Sequence, residues 1–117
     1  MNRTIITYGN YFFDFYSSLD KGAQEKIDYV FEFVKRQQYI PKRFFKNMEN
    51  TDGLFEIRVE YESNSYRIFC FFDEGQLVVL INSFHKKSQK TPRKDLDLAT
   101  SLKKHYFIDK KNDLENG

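Results

Sequence analysis

The stretch from Leu54 to Phe84 limits what this chain can fold into more than any other part of it. Phe55, Ile57, Val59 and Tyr61 alternate with Glu56, Arg58 and Glu60. Period-two alternation of aromatic and β-branched residues marks a strand with one buried face. Tyr66 to Phe72 and Leu77 to Phe84 are two further strand-like runs, nearly continuous in apolar residues. Glu62-Ser63-Asn64-Ser65 and Asp73-Glu74-Gly75 separate the three runs, and both are turn-forming clusters. Two successive hairpins in an antiparallel sheet follow.

Turn positions set the expected register. With Ser63 and Asn64 at the first tip, Tyr61 faces Tyr66 and Arg58 faces Phe69. With Glu74 and Gly75 at the second, Phe71 faces Val78 and Arg67 faces Asn82. Cross-strand partners share a face. One face then carries Phe55, Ile57, Val59, Tyr61, Tyr66, Ile68, Cys70, Phe72, Leu77, Val79 and Ile81, which is a core face. The other is mixed: Glu56, Arg58, Glu60, Arg67, Phe69, Phe71, Val78, Leu80 and Asn82, continuing through Phe84 toward Lys86. Arg58 and Arg67 become diagonal neighbours on it. A one-residue slip would dissolve this arrangement.

The remaining chain reads as covering for this sheet. Thr4 to Tyr8 is a short strand expected to join it. Phe12, Phe15, Tyr16 and Leu19 recur at helical spacing, and Asp20 caps a second helix whose apolar stripe is Ala23, Ile27, Val30, Phe31 and Val34. Gly22 in its first turn is a mild weakness, and Pro41 marks its end. Residues 42 to 53 form a connection closed by the turn Asn50-Thr51-Asp52-Gly53. Thr91-Pro92 starts a last helix, a capping hydroxyl followed by proline at the first helical position. Its apolar side, Leu96, Ala99 and Leu102, is expected over Phe71, Val78 and Leu80. Residues 1–108 are expected to be one domain, with 109–117 a disordered polar tail.

Length and charge exclude several classes. A chain of 117 residues is one domain and buries roughly two-thirds of its unfolded surface. The single cysteine, Cys70, forms no intrachain disulfide, so a reduced, cytoplasmic setting is expected. No apolar run approaches the roughly 20 residues that span a bilayer, so no membrane partner is expected. With two distant histidines and one core cysteine, no metal site is expected either. The net charge is only +2, but Lys86, Lys87, Lys90, Arg93 and Lys94 crowd one segment without an acid among them. Lys42, Arg43 and Lys46 form a weaker cluster.

Taken together, the block LFEIR…YRIFCFFDEGQLVVLINSFHKKSQKTP…LA resembles the RelE/HigB superfamily of bacterial and phage toxins, and within it the phage-derived HigB-like branch. The likeness extends over the helical hairpin and covers residues 3 to 105. It implies an α+β, RelE-like fold: an antiparallel sheet with an N-terminal helical hairpin on one face and a C-terminal helix. It also implies a metal-independent endoribonuclease that cleaves messenger RNA, commonly on the ribosome, as the toxin of a type II toxin–antitoxin pair. The implied partner is a cognate antitoxin, often with a helix-turn-helix domain. No cofactor is expected. Arg58 in EIR, Arg67 in YR and the pair Lys86-Lys87 match basic positions of the family's active-site sheet. An aromatic residue that some relatives place beyond that pair has no counterpart here, where Ser88, Gln89 and Lys90 stand.

Metal-free cleavage needs a proton removed from the 2′-hydroxyl, one supplied to the leaving 5′-oxygen, and electrostatic support for the phosphorane. Arginine's planar fork suits the last task, so Arg58 and Arg67 are the expected clamp. The catalytic candidates are thus Arg58, Arg67 and Lys87, with Glu56 and His85 as proton-transfer candidates. The expected RNA contacts are Lys86, Lys90, Arg93, Lys94 and Asn82, with Phe69 or Phe84 stacking a base. Other readings stay open. The same fold without chemistry would be a binding module for an antitoxin or regulator, and basic plus aromatic residues alone would fit a general RNA-binding domain.

Overall fold

The computed structural model describes residues 2–116; Met1 and Gly117, the ends of the expected domain and tail, lie outside them. Its elements in order are β1 (Thr4–Thr7), α1 (Tyr11–Ser17), α2 (Lys21–Arg36), β2 (Phe45–Asn47), β3 (Phe55–Tyr61), β4 (Asn64–Phe72), β5 (Leu77–Lys86) and α3 (Arg93–Asn116). The sheet has five strands in the order β1-β5-β4-β3-β2. β1 runs parallel to β5, and the other neighbours are antiparallel. The α1–α2 hairpin therefore carries the chain from one edge of the sheet to the other.

The Asp20 carboxylate accepts a hydrogen bond from the Ala23 amide at 2.8 Å, as an N-cap should. α2 stops at Arg36, earlier than Pro41 requires, because Arg3 donates to the carbonyls of Val34, Gln37 and Gln38 and satisfies the helix end. Gly22 has a positive reason to be glycine: a Cβ there would lie 1.9 Å from the Tyr61 hydroxyl. The helix weakness noted in the sequence makes room for the end of β3.

Both faces of the sheet are covered. Ala23, Ile27, Val30 and Val34 of α2 pack on Ile57, Val59, Ile68, Cys70, Val78 and Leu80. On the opposite face, Ala99 and Leu102 of α3 close over Leu54, Phe69, Phe71, Val79, Ile81 and Phe84. Two register differences from expectation set these faces. The first hairpin turns at Glu62-Ser63, with Glu62 at φ 54°, so Tyr61 pairs with Asn64. This shift is even and keeps every β3 and β4 side chain on its expected face. In the second hairpin Phe72 pairs with Val78 and Phe71 with Val79, a one-residue slip that exchanges Val78 and Leu80 with Val79 and Ile81. A β-bulge then sets Ile81 and Asn82 against Phe69 alone and restores the expected parity from Ser83 onward.

α3 continues through residues 109–116, where the sequence suggested a polar tail. It is tied down at Asp73, which accepts from the Tyr106 hydroxyl at 2.7 Å and from Lys110 Nζ at 2.9 Å, and by the Tyr8 hydroxyl donating to Asp109. Burial pushes the Asp73 carboxyl up, but Tyr106, Lys110 and the Glu74 amide outweigh it and hold the group below the usual carboxylate range. A depressed folded-state pKa means that this anchor contributes fully above the ordinary value of about 4 and fades as pH falls through the lower folded value. Proteolysis of the last turns of α3 should therefore accelerate on acidification below about pH 4. Asp73→Asn should produce the same loosening at neutral pH, a loss of about 2 kcal/mol, and remove its acid dependence.

Candidate functional site

The even shift in the first hairpin makes Arg58 and Arg67 direct cross-strand partners instead of diagonal neighbours. Two like charges directly opposite each other are unfavourable unless compensated. Two carboxylates of β3 compensate them. Glu56 is 2% exposed, and its Oε1 lies 3.0 Å from Arg58 Nε and 3.8 Å from Arg67 Nε. Neither N–H points at that oxygen, so these are ion contacts without a hydrogen bond, and Glu56 Oε2 has no partner. Glu60 takes the other side of Arg67, accepting from Nη1 at 3.0 Å, and also accepts from the Ser65 hydroxyl. Burial pushes the Glu60 carboxyl up, while Ser65 and Arg67 more than reverse this, so it titrates below the usual range.

β5 runs far enough to bring Lys86 opposite Ser65, on the arginine side. Burial, then the charges of Arg67, Arg58 and Lys46, lower the Lys86 pKa below the ordinary lysine value, with Glu56 opposing them. Three cations thus stand against two carboxylates. One carboxylate, on Glu56, is buried beneath the arginines; the other, on Glu60, is more than half exposed and accepts from Arg67 and Ser65. This is a site that gains by taking up an anion.

Arg58, Arg67, Lys86 and Lys87 border one open hollow of about 650 Å³, with His85, Ser63, Ser65, Ser88 and Gln89. His85 is exposed and its ring lies 5.0 Å from Tyr66, on the hairpin side of the sheet. Lys90 borders an adjoining hollow. Arg93 is exposed and paired with Asp97 at 3.1 Å, and Lys94 borders neither hollow.

Three expected RNA contacts are corrected. Phe69 is fully buried beneath α3, and Phe84 is buried with its ring 5.5 Å from that of Phe69, so neither can stack a base. Asn82 is 3% exposed and donates to the Asp95 carbonyl at 2.9 Å, anchoring the start of α3. Three further contributors are visible in the sequence without a role: Glu60 on the arginine face, Ser65 in the turn and Lys46 in the weaker basic cluster. Ser65 and Glu60 enter through the turn position, which propensity alone did not settle. Lys46 enters through β2, a three-residue strand too short to leave a periodic signal.

A second cavity of about 540 Å³ lies on the α3 side, between Leu54 and Phe107, and is mostly apolar. It holds none of the Arg58 cluster. Among the described residues no group of three or more His, Cys, Asp or Glu side chains is placed to hold a metal ion. No helix among them is long and apolar enough to cross a membrane.

Comparison with known proteins identifies the architecture. The fold is similar to that of the archaeal RelE–RelB complex from Pyrococcus horikoshii OT3, with a TM-score of 0.54 and 14% identity, covering 73% of this chain and 96% of that chain. The α+β, RelE-like arrangement expected from the sequence is thereby found. No curated protein matches the sequence significantly. The family model for phage-derived Gp49-like proteins matches residues 14–104, most of the chain. On that match, this chain belongs to the phage-derived Gp49-like family.

Proposed function

We propose that this protein is the toxin of a type II toxin–antitoxin pair, of the HigB-like branch, and that it cleaves messenger RNA on the ribosome without a metal. The observation that carries this reading is the Arg58–Arg67 cross-strand pair beside Lys86 in an open polar hollow. A phosphodiester seated there faces a guanidinium fork and an ammonium, the groups that best offset the charge of a phosphorane. The 2′-oxygen attacks phosphorus and the bond to the 5′-oxygen breaks. His85, which borders the hollow although its ring lies on the hairpin side of the sheet, takes the 2′ proton through a bridging water. Lys86, whose burial and cationic neighbours weaken its hold on its own proton, supplies one to the leaving 5′-oxygen. Glu56, only 2% exposed, serves as the buried counter-ion of both arginines. Lys87 and Lys90 hold neighbouring phosphates.

The implied partners are an antitoxin, expected to carry a helix-turn-helix domain, and the ribosome with its messenger RNA, which places the protein in the cytoplasm. The archaeal relative was solved as a RelE–RelB complex, which supports a protein partner. One observation favours a second reading. Arg67 is only 6% exposed and is held by two carboxylates, as a purely structural ion pair would be. On that reading the fold is an inactive binding module. Induced expression separates the two: growth arrest with new messenger-RNA 5′ ends inside coding regions, relieved by the neighbouring reading frame, supports the toxin. Normal growth with no new ends, alongside tight binding to the neighbour's product, supports the module.

A further inference from the structure

The hollow that holds Arg67 is only half of a longer groove. A second hollow of about 740 Å³ opens on the other side of Arg58 and Lys86, and the two share Arg58, Lys86 and Gln89. The outer wall of the second hollow is β2 and the turn after it, which brings Lys46, Asn47 and Asn50 to the hollow together with one exposed carboxylate, Glu49. Lys46 stands directly opposite Glu56 across the β2–β3 ladder, which puts it on the same face as Arg58. Its Cα is a diagonal neighbour of Arg58's, roughly 7–8 Å away, comparable to the spacing of successive phosphates in an extended strand. Lys46 is exposed, and among the described residues it pairs with no carboxylate: Glu56 already serves the arginines. Its charge nonetheless reaches Lys86 across the hollow. A cation with no partner, facing other cations over open space, is placed for an anion that lies between them.

We infer that this second lobe holds the nucleotide adjoining the scissile phosphate of a single-stranded RNA, with Lys46 on that nucleotide's phosphate and the amides of the rim facing its base. Single-stranded RNA is the class that fits, because its unpaired base edges are open to neutral amide donors and acceptors such as Asn47, Asn50 and Gln89. The inference rests on the ribonuclease reading for the position of the cleaved bond, but binding in the second lobe is a separate property.

The test uses a dinucleotide and a hexanucleotide of RNA, both 2′-O-methylated so that neither can be cleaved. Their binding is measured across a salt series. The wild-type protein should bind the hexanucleotide more tightly. Lys46→Ala should weaken the hexanucleotide roughly tenfold while sparing the dinucleotide, and should lower the slope of log affinity against log salt by about 0.7, one single-strand phosphate contact. Lys46→Arg should restore both. Equal binding of the hexanucleotide by wild type and Lys46→Ala, or equal losses on both probes, overturns the second lobe. A wild-type protein that binds neither probe overturns the second lobe, and leaves the ribonuclease reading to the mapping of messenger-RNA ends. Length-dependent, Lys46-dependent binding by a protein whose induced expression yields no new messenger-RNA 5′ ends upholds the lobe and overturns the ribonuclease reading alone.

Discussion

Replacing Arg58 by Ala should reduce RNA cleavage by about a hundred- to a thousand-fold, the usual cost of removing one group aimed at transition-state charge. The fold should survive. Arg58 is partly exposed, and Glu56 keeps Arg67 at 3.8 Å as a counter-ion. Single-turnover cleavage of a reporter message, beside a thermal melt of the same protein, checks both halves. Arg58→Lys should recover only part of the loss, since an ammonium keeps the charge but not the fork that grips two phosphate oxygens. An Arg58→Ala protein with wild-type cleavage would leave the arginine pair with a structural role only.

Arg67→Ala should act differently, and mostly through stability. Arg67 is buried, and removing it takes one of two cations from Glu56, whose Oε2 already has no partner. Deleting one member of a buried ion pair costs about 3–5 kcal/mol, and the lower end applies here because Arg58 remains within 3.0 Å of Glu56. A fall in denaturation midpoint equivalent to about 3 kcal/mol is expected. Adding Glu56→Gln should recover part of it by removing the uncompensated charge. The direction of the double-mutant coupling is the decisive quantity: losses that simply add would mean the two residues do not depend on each other. It follows that lost toxicity in Arg67→Ala alone is weak support for a catalytic role, and that Arg58 is the better residue to test.

The physical basis of each difference between expectation and structure is local. Alternation in Phe55–Tyr61 identified β3 and its two faces because strand periodicity is a property of consecutive residues. The faces of β5 were not legible, because Leu77 to Ile81 is apolar at every position and offers no alternation to read. Its parity depends on a bulge opposite Phe69, a two-against-one arrangement that leaves no compositional mark. The Arg58–Arg67 pairing needed the turn at Glu62-Ser63, and a glutamate at positive φ is not a residue that turn statistics would select. Phe69 and Phe84 looked available to a base because the sequence placed them on a mixed face. α3 covers the apolar part of that face and leaves only the charged end open. The site is therefore where β3, β4 and β5 run beyond the cover of α3. The basic segment after β5 was legible as charge, but only the structure separates Lys86 and Lys87, at the hollow, from Arg93 and Lys94, which turn away with the helix.

In the proposed reaction the 2′-oxygen of RNA is the nucleophile, and the Arg58 cluster stabilises its attack. The chemistry of the cut ends tests it most directly. Fragments should be collected after induction of the wild-type protein, with Arg58→Ala as control, and the groups at the new ends determined. Attack by the 2′-oxygen leaves a 2′,3′-cyclic phosphate upstream and a free 5′-hydroxyl downstream, and these ends are expected from the wild-type protein and should be lost in the Arg58 variant. New ends carrying a 5′-phosphate and a 3′-hydroxyl would mean that water attacked instead, and would contradict it.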